Sequence, residues 1–198
     1  EFRERCGVPG RQLRLQERGL MPCYLALFRG INVGKARRIA MADLRALLED
    51  LGFTQVKTLL NSGNAVFTAA RSKPAALAAR IRTAVEKQLG VDALVIVKSA
   101  QEVAGIVAGN ALEKLATDHS RLLVAMTGDA KTLAAVRPLA AKDWGGERLH
   151  VGRHAAYIWC ANGILESTLI SALLGDLDGG GTTRNWATLN KIHVLMQE

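Results

Sequence analysis

The order of apolar patterns along the chain constrains its fold more than any single motif does. A continuous apolar run over residues 23–29, CYLALFR, is typical of a buried strand. Leucines recur every three to four positions from Leu44 to Leu51, which predicts a helix. Two strands then flank the turn NSGN, where Gly63 can supply a positive φ angle. A helix from Pro74 and the strand ALVIVK complete the order strand, helix, strand, strand, helix, strand.

The second half begins with the helix AQEVAGIVAG and then repeats this order more loosely. We therefore predict an α+β fold with two ferredoxin-like, or alpha-beta plait, domains over residues 21–99 and 100–198. A last strand is due where the glycine-rich stretch and a helix from about Thr183 stand. The second domain is thus expected to be incomplete or modified, or to have a very short last strand, and to carry a C-terminal helix.

Composition predicts a soluble, globular, cytoplasmic protein. Hydrophobic residues make up 49% of the chain, enough for a packed core, and no apolar run approaches the roughly 18 residues of a membrane span. Cys6, Cys23 and Cys160 are an odd number without ligand spacing, so we expect neither a disulfide framework nor a metal site. No cofactor is predicted.

Residues 1–20 have five arginines and no periodic apolar face, and they precede a strong strand pattern that starts after Met21. We interpret them as an added or disordered leader; a functional basic arm is the alternative.

Deleting residues 1–20 should leave the melting temperature within a few degrees of that of the full chain. A larger drop, or a loss of ligand binding, would show that the arm is functional.

The formal net charge of +8 makes a polyanion a compatible partner. Residues 1–20 carry +2 of this charge, which leaves +6 for the remainder. Only 5% of the residues are aromatic, which disfavours a stacking platform for single-stranded nucleic acid. Nucleic acid is therefore an alternative partner and an anionic small molecule the favoured one.

Two loops of the first domain are expected to lie at the same end of its sheet. Arg29 and Asn32 follow the first strand, and Asn61, Ser62 and Asn64 form the hairpin turn. Donors gathered around flexible backbone suit a carboxylate or a phosphate. The alternative is that the asparagines cap turns and that Arg29 pairs with a nearby acid.

The C-terminal stretch GGGTTRNW raises a second binding hypothesis. Thr182 or Thr183 could cap the last helix, and Arg184 and Asn185 beside its first turn could hold an anion. We expect Arg184 to face the loop from Arg29 to Asn32 across a groove between the two domains, with an anion between the arginines. The alternative is that Arg184 bonds a carboxylate or backbone carbonyls and that Asn185 caps its own turn.

Four motifs resemble one bacterial family. RGINVG, MADLRALLEDLGF, NSGNAVF and TTRNWATLNKI, in this order, are similar to the domain-of-unknown-function 1697 family. The resemblance implies two ferredoxin-like domains and no particular activity. The chain departs from the family pattern at Lys35, where members often have a second glycine, and at residues 165–169, where a basic pair is missing. We assign no catalytic residue, so an enzyme that uses the same groove is a further alternative.

Overall fold

The computed structural model of the protein describes residues 21–33 and 38–198, in which two four-stranded antiparallel sheets and six α-helices confirm the α+β class. The predictions for residues 1–20, and the departure from the family pattern at Lys35, fall outside the described residues. Across these two described ranges, no helix combines the length and the apolar character that crossing a membrane requires.

The first half of the chain contains the predicted four strands and two helices. They are β1 (Cys23–Arg29), α1 (Met41–Asp50), β2 (Thr54–Thr58), β3 (Asn64–Thr68), α2 (Pro74–Leu89) and β4 (Leu94–Ser99). All pairings are antiparallel, and the strand order is β2-β3-β1-β4. Each predicted element is confirmed, with ends that differ by a few residues at most.

Strand β1 lies at the centre of this sheet and is buried on both faces, as its continuous apolar run predicted. Tyr24, Ala26 and Phe28 face the two helices of the first half, in a core that includes Leu48 of α1 and Ile81 of α2. Side chains alternate along a strand, so Leu25 and Leu27 point to the opposite face of the sheet. That face is covered by the second half of the chain.

The second half has the same order of elements after one additional helix. They are α3 (Ala100–Ala108), β5 (Leu122–Thr127), α4 (Ala130–Ala135), a 3-10 helix (Arg137–Ala141), β6 (Arg148–Val151), β7 (Ala156–Trp159), α5 (Thr168–Asp176), β8 (Gly181–Asn185) and α6 (Trp186–Leu195). The strand order is β6-β7-β5-β8, which matches that of the first sheet position by position.

The prediction of an incomplete second half was wrong, because residues 181–185 form the missing strand. Strand β8 pairs with β5 along its whole length, with Arg184 opposite Val124. The helix starts at Trp186 rather than at Thr183, and its cap is the Asn185 side chain, which accepts a hydrogen bond from the Thr188 N–H at 2.8 Å. Neither threonine caps the helix, since both belong to the strand.

The two halves share one hydrophobic core, which we call the shared core. It lies between the two sheets and also contains one face of α3 and of α6. Its members include Leu25, Leu27, Val66, Ile96, Val103, Ile106, Val124, Met126, Tyr157, Trp186, Leu189 and Ile192. A third core lies on the outer face of the second sheet, under α4, the 3-10 helix and α5. Both sheets are therefore covered on both faces.

The Cys160 thiol lies in this third core. Because it is buried, we expect the protein to lose stability at alkaline pH. Burial raises the pKa of the thiol from 9.0 to about 11, although a hydrogen bond with Ser167 acts in the opposite direction. Because the pKa of the thiol is higher in the folded state than in the unfolded state, the contribution of the neutral thiol to stability is fully present below pH 9. This contribution is lost as the pH rises through 11. Urea titrations from pH 8 to 11 should show a steeper decline for the wild type than for Cys160→Ala. Parallel curves for the two proteins would contradict this assignment.

Candidate functional site

Arg184 joins the two halves of the protein. Its side chain leaves β8 on the face that packs against the first sheet, and only 9% of the residue is exposed. All its hydrogen-bond acceptors are uncharged oxygens. They are Asn64 Oδ1 at 2.6 Å from Nε, Thr182 Oγ1 at 2.9 Å and the Thr183 carbonyl at 2.7 Å from Nη1, and the carbonyls of Phe28, Ser62 and Gly63 at 2.9, 3.0 and 3.1 Å from Nη2.

These contacts use the full donor capacity of the guanidinium group, which has five N–H bonds. Burial lowers the pKa of Arg184 to about 10, so the side chain is still protonated at neutral pH. No ion pair to Arg184 occurs among the described residues, and carbonyl and amide dipoles solvate the charge instead. The predicted convergence of the two motif regions is therefore present. The partners of Arg184 are those of the structural alternative, mainly backbone carbonyls.

The hairpin between β2 and β3 supplies three of these six acceptors. Asn64 is fully buried, and its amide nitrogen donates to the Leu59 carbonyl at 2.8 Å and to Ser62 Oγ at 3.1 Å. Gly63 has the predicted positive φ angle, +77°, and its carbonyl also accepts a hydrogen bond from the Phe28 N–H. The sequence NSGN thus forms a rigid acceptor surface for Arg184.

Asn32 holds the first loop against the same turn. Its amide nitrogen donates to the carbonyls of Ile39 and Asn61, both at 2.9 Å, and its side-chain oxygen accepts from the Ile39 N–H at 2.8 Å. The residue has a φ angle of +57°, which asparagine tolerates better than most residues do. Asn32 and Asn61 also line an open cavity of about 390 Å³ beside the start of α1. The asparagine side chain is fully used in fixing the loop.

Arg29 has a different environment from Arg184, although both were predicted to share one ligand. It is the last residue of β1, and its Nη1 atom is buried without a hydrogen-bond partner in the described part of the chain. The guanidinium lies beside Gly179 of the second half, 3.6 Å from the position that a Cβ atom would occupy there. Arg29 Nη1 is thus a buried donor that lacks an acceptor among the described residues.

Arg29 lines a groove between the two halves, which we call the Arg29 groove. It has a volume of about 420 Å³, and Gly30, Arg82 and Asp92 line it from the first half while Asp178 and Gly179 line it from the second. Arg82 and Asp92 form an exposed ion pair at 2.8 Å. The sequence prediction missed Asp178, for which the only signal was an acidic residue directly before three glycines.

The three glycines shape the wall of this groove and the entry into β8. Gly179 has a φ angle of +78°. A Cβ atom at Gly180 would lie 2.9 Å from Thr132 Cγ2, and one at Gly181 would lie 2.7 Å from Leu177 Cδ1. The glycines thus allow a tight turn between α5 and β8 that packs against α4.

Comparisons with known proteins give the family and the fold. The family model described as "Protein of unknown function (DUF1697)" matches residues 21–157. The structure is similar to that of the conserved bacterial protein SP0830 from Streptococcus pneumoniae, with a TM-score of 0.70 and 23% sequence identity over 89% of this chain and 99% of that chain. No curated protein matches the chain significantly. The match over most of its length shows that this chain belongs to the DUF1697 family.

Proposed function

We propose that the protein binds a small ligand with a carboxylate or phosphate group in the Arg29 groove. The observation that carries this proposal is the buried Nη1 atom of Arg29, which has no acceptor in the described residues. A buried donor without a partner costs free energy, and an arginine can offer two parallel N–H bonds to a carboxylate or a phosphate. A bound anion would supply the missing acceptor.

In this proposal, the other predicted site residues do not line the groove but hold the elements that form it in place. Arg184 and Asn64 join β8 to the hairpin turn, and Asn32 joins the first loop to the same turn. These bonds hold the end of β1, and therefore Arg29, against the second half. Ser62, Thr183 and Asn185 contribute through the turn, the strand and the cap of α6.

We also propose that each half is a ferredoxin-like unit, with the boundary near residue 99. The repeated strand order, 2-3-1-4 in each sheet, supports this assignment. The units are not independent in this proposal, because both contribute side chains to the shared core. Expression of residues 21–99 alone should give a protein that exposes Leu25 and Leu27 and aggregates; a stable monomer would contradict it.

The nucleic-acid alternative has less support from the geometry. Plait domains that bind RNA stack bases on aromatic side chains of the central strands. Here Tyr24 and Phe28 of β1 and Phe67 of β3 are buried under α1 and α2, and the opposite face belongs to the shared core. Neither face of the first sheet is open to a base.

A cytoplasmic location remains our proposal as well. Cys23 and Cys160 are both free thiols, which fits a reducing compartment. Cell fractionation would test this, and recovery of the protein outside the cytoplasm would contradict it.

Calorimetric titration with inorganic phosphate and with acetate, at constant ionic strength, tests the binding proposal. The wild type should bind at least one of the two anions, and Arg29→Gln should weaken that binding at least about fivefold, which corresponds to one lost charged contact of about 1 kcal/mol. Arg45→Gln, on the exposed side of α1, is the matched control and should bind as the wild type does. Absence of binding to the wild type, or equal binding by Arg29→Gln, would overturn the proposal.

A further inference from the structure

The Arg29 groove also contains an acidic side chain that has no partner among residues 21–33 and 38–198. Asp178 lies on the wall contributed by the second half, directly before Gly179. Arg29 lies against Gly179, the neighbour of Asp178, yet the side chains of Arg29 and Asp178 form no ion pair. Within the described part of the chain, the groove therefore presents one unpaired cationic group and one unpaired anionic group from opposite halves of the protein.

The position of Asp178 is fixed by the backbone of its turn. The Asp178 N–H donates to the Gly175 carbonyl at 3.0 Å, and the Gly180 N–H donates to the Leu177 carbonyl at 2.7 Å. Asp178 has a φ angle of +41°, which is uncommon for a residue with a side chain and is tolerated best by asparagine and aspartate. The backbone of Asp178 is thus fixed at the wall of the groove, and its exposed side chain is open to a ligand there.

The charges of the groove favour a ligand that carries both signs. Arg82 and Asp92 neutralise each other as an ion pair. A ligand with only a negative charge would gain from Arg29 and be repelled by Asp178, because charges a few ångströms apart interact strongly near a protein surface. A ligand with an ammonium group in addition would gain from both residues.

We propose that the ligand of the Arg29 groove is a small zwitterion of the amino-acid class. Its carboxylate pairs with Arg29 and its ammonium group pairs with Asp178. This inference rests on the proposed function, since it assigns the anionic group to Arg29. The volume of about 420 Å³ admits a free amino acid or a compound somewhat larger.

A matched series of probes tests the inference and also measures the spacing of the two charges. Glycine, β-alanine and 4-aminobutyrate are each compared with the acid that lacks the amino group, namely acetate, propionate and butyrate, by calorimetric titration at constant ionic strength. In the wild type, at least one amino compound should bind about three- to tenfold more tightly than its amine-free partner. Asp178→Asn should remove this difference and should bind the plain acid as well as, or better than, the wild type.

The variants separate failure of this inference from failure of the proposed function. Asn tolerates the same φ angle as Asp, so Asp178→Asn should keep the turn, and Asp50→Asn at the exposed end of α1 is the control. Carboxylate binding that depends on Arg29 but gains nothing from the amino group would overturn the zwitterion alone. A gain that persists in Asp178→Asn would also overturn it. Equal binding of every acid by Arg29→Gln and the wild type would overturn the zwitterion, and equal binding of phosphate by the two proteins as well would overturn both proposals.

Discussion

Replacing Arg184 with alanine should lower the free energy of unfolding by about 3 kcal/mol or more. The substitution removes the donor for four buried or part-buried oxygens of the first half, and it leaves a cavity where the side chain lay. A buried carbonyl without a donor is itself costly. Urea denaturation at neutral pH would measure the change in the free energy of unfolding. The alternative predicted from the sequence is a variant that folds normally and loses only its affinity for an anion.

Two comparison variants make the Arg184 result specific. Arg45→Ala removes an arginine from the exposed face of α1 and should change stability by no more than about 0.5 kcal/mol. Arg184→Lys keeps the charge, but an ammonium group has three donors and no planar fork, so it should recover only part of the loss. If the free energy of unfolding of Arg184→Ala lies within about 1 kcal/mol of the wild-type value, the inference that this arginine joins the two halves is wrong.

The strands and helices of the first half could be predicted from the sequence because each has a clear apolar period. Strand β1 is apolar throughout since both of its faces are buried, and α1 and α2 each carry a single apolar stripe. The turn at Gly63 was predictable for a local reason, because the backbone there needs a positive φ angle. These are properties of a few neighbouring residues, which a sequence displays directly.

Strand β8 could not be predicted from an apolar pattern because its inward-facing residues are polar. Thr182 and Arg184 point into the protein, where Arg184 finds acceptors that lie more than 100 positions away in the chain. Main-chain carbonyls belong to every residue type, so nothing in the sequence marks Phe28, Ser62 and Gly63 as partners of an arginine. For the same reason the sequence alone did not distinguish Arg184, whose donors are all used, from Arg29, which has a buried donor without an acceptor in the described structure.

Gly63→Ala should also be strongly destabilising, with a loss of about 3 kcal/mol in the free energy of unfolding. One part of the loss comes from the φ angle of +77°, which alanine adopts at a cost of about 1 kcal/mol. The other part comes from packing. A Cβ atom at Gly63 would lie 2.8 Å from Phe28 Cβ and 2.8 Å from Ile31 Cδ1.

Gly52→Ala separates these two parts because Gly52 has nearly the same φ angle, +81°, but no atom within 4 Å of the position of a Cβ. This control should lose only the backbone contribution of about 1 kcal/mol. The excess loss at Gly63 then measures the contact with Phe28, whose Cβ cannot move without displacing β1 and the carbonyl that accepts from Arg184. The Gly63→Ala and Arg184→Ala effects should therefore be less than additive when the two substitutions are combined, since both disrupt the same junction. Equal losses for Gly63→Ala and Gly52→Ala would mean that the turn yields without disturbing β1, and the rigid junction inferred from these contacts would be wrong.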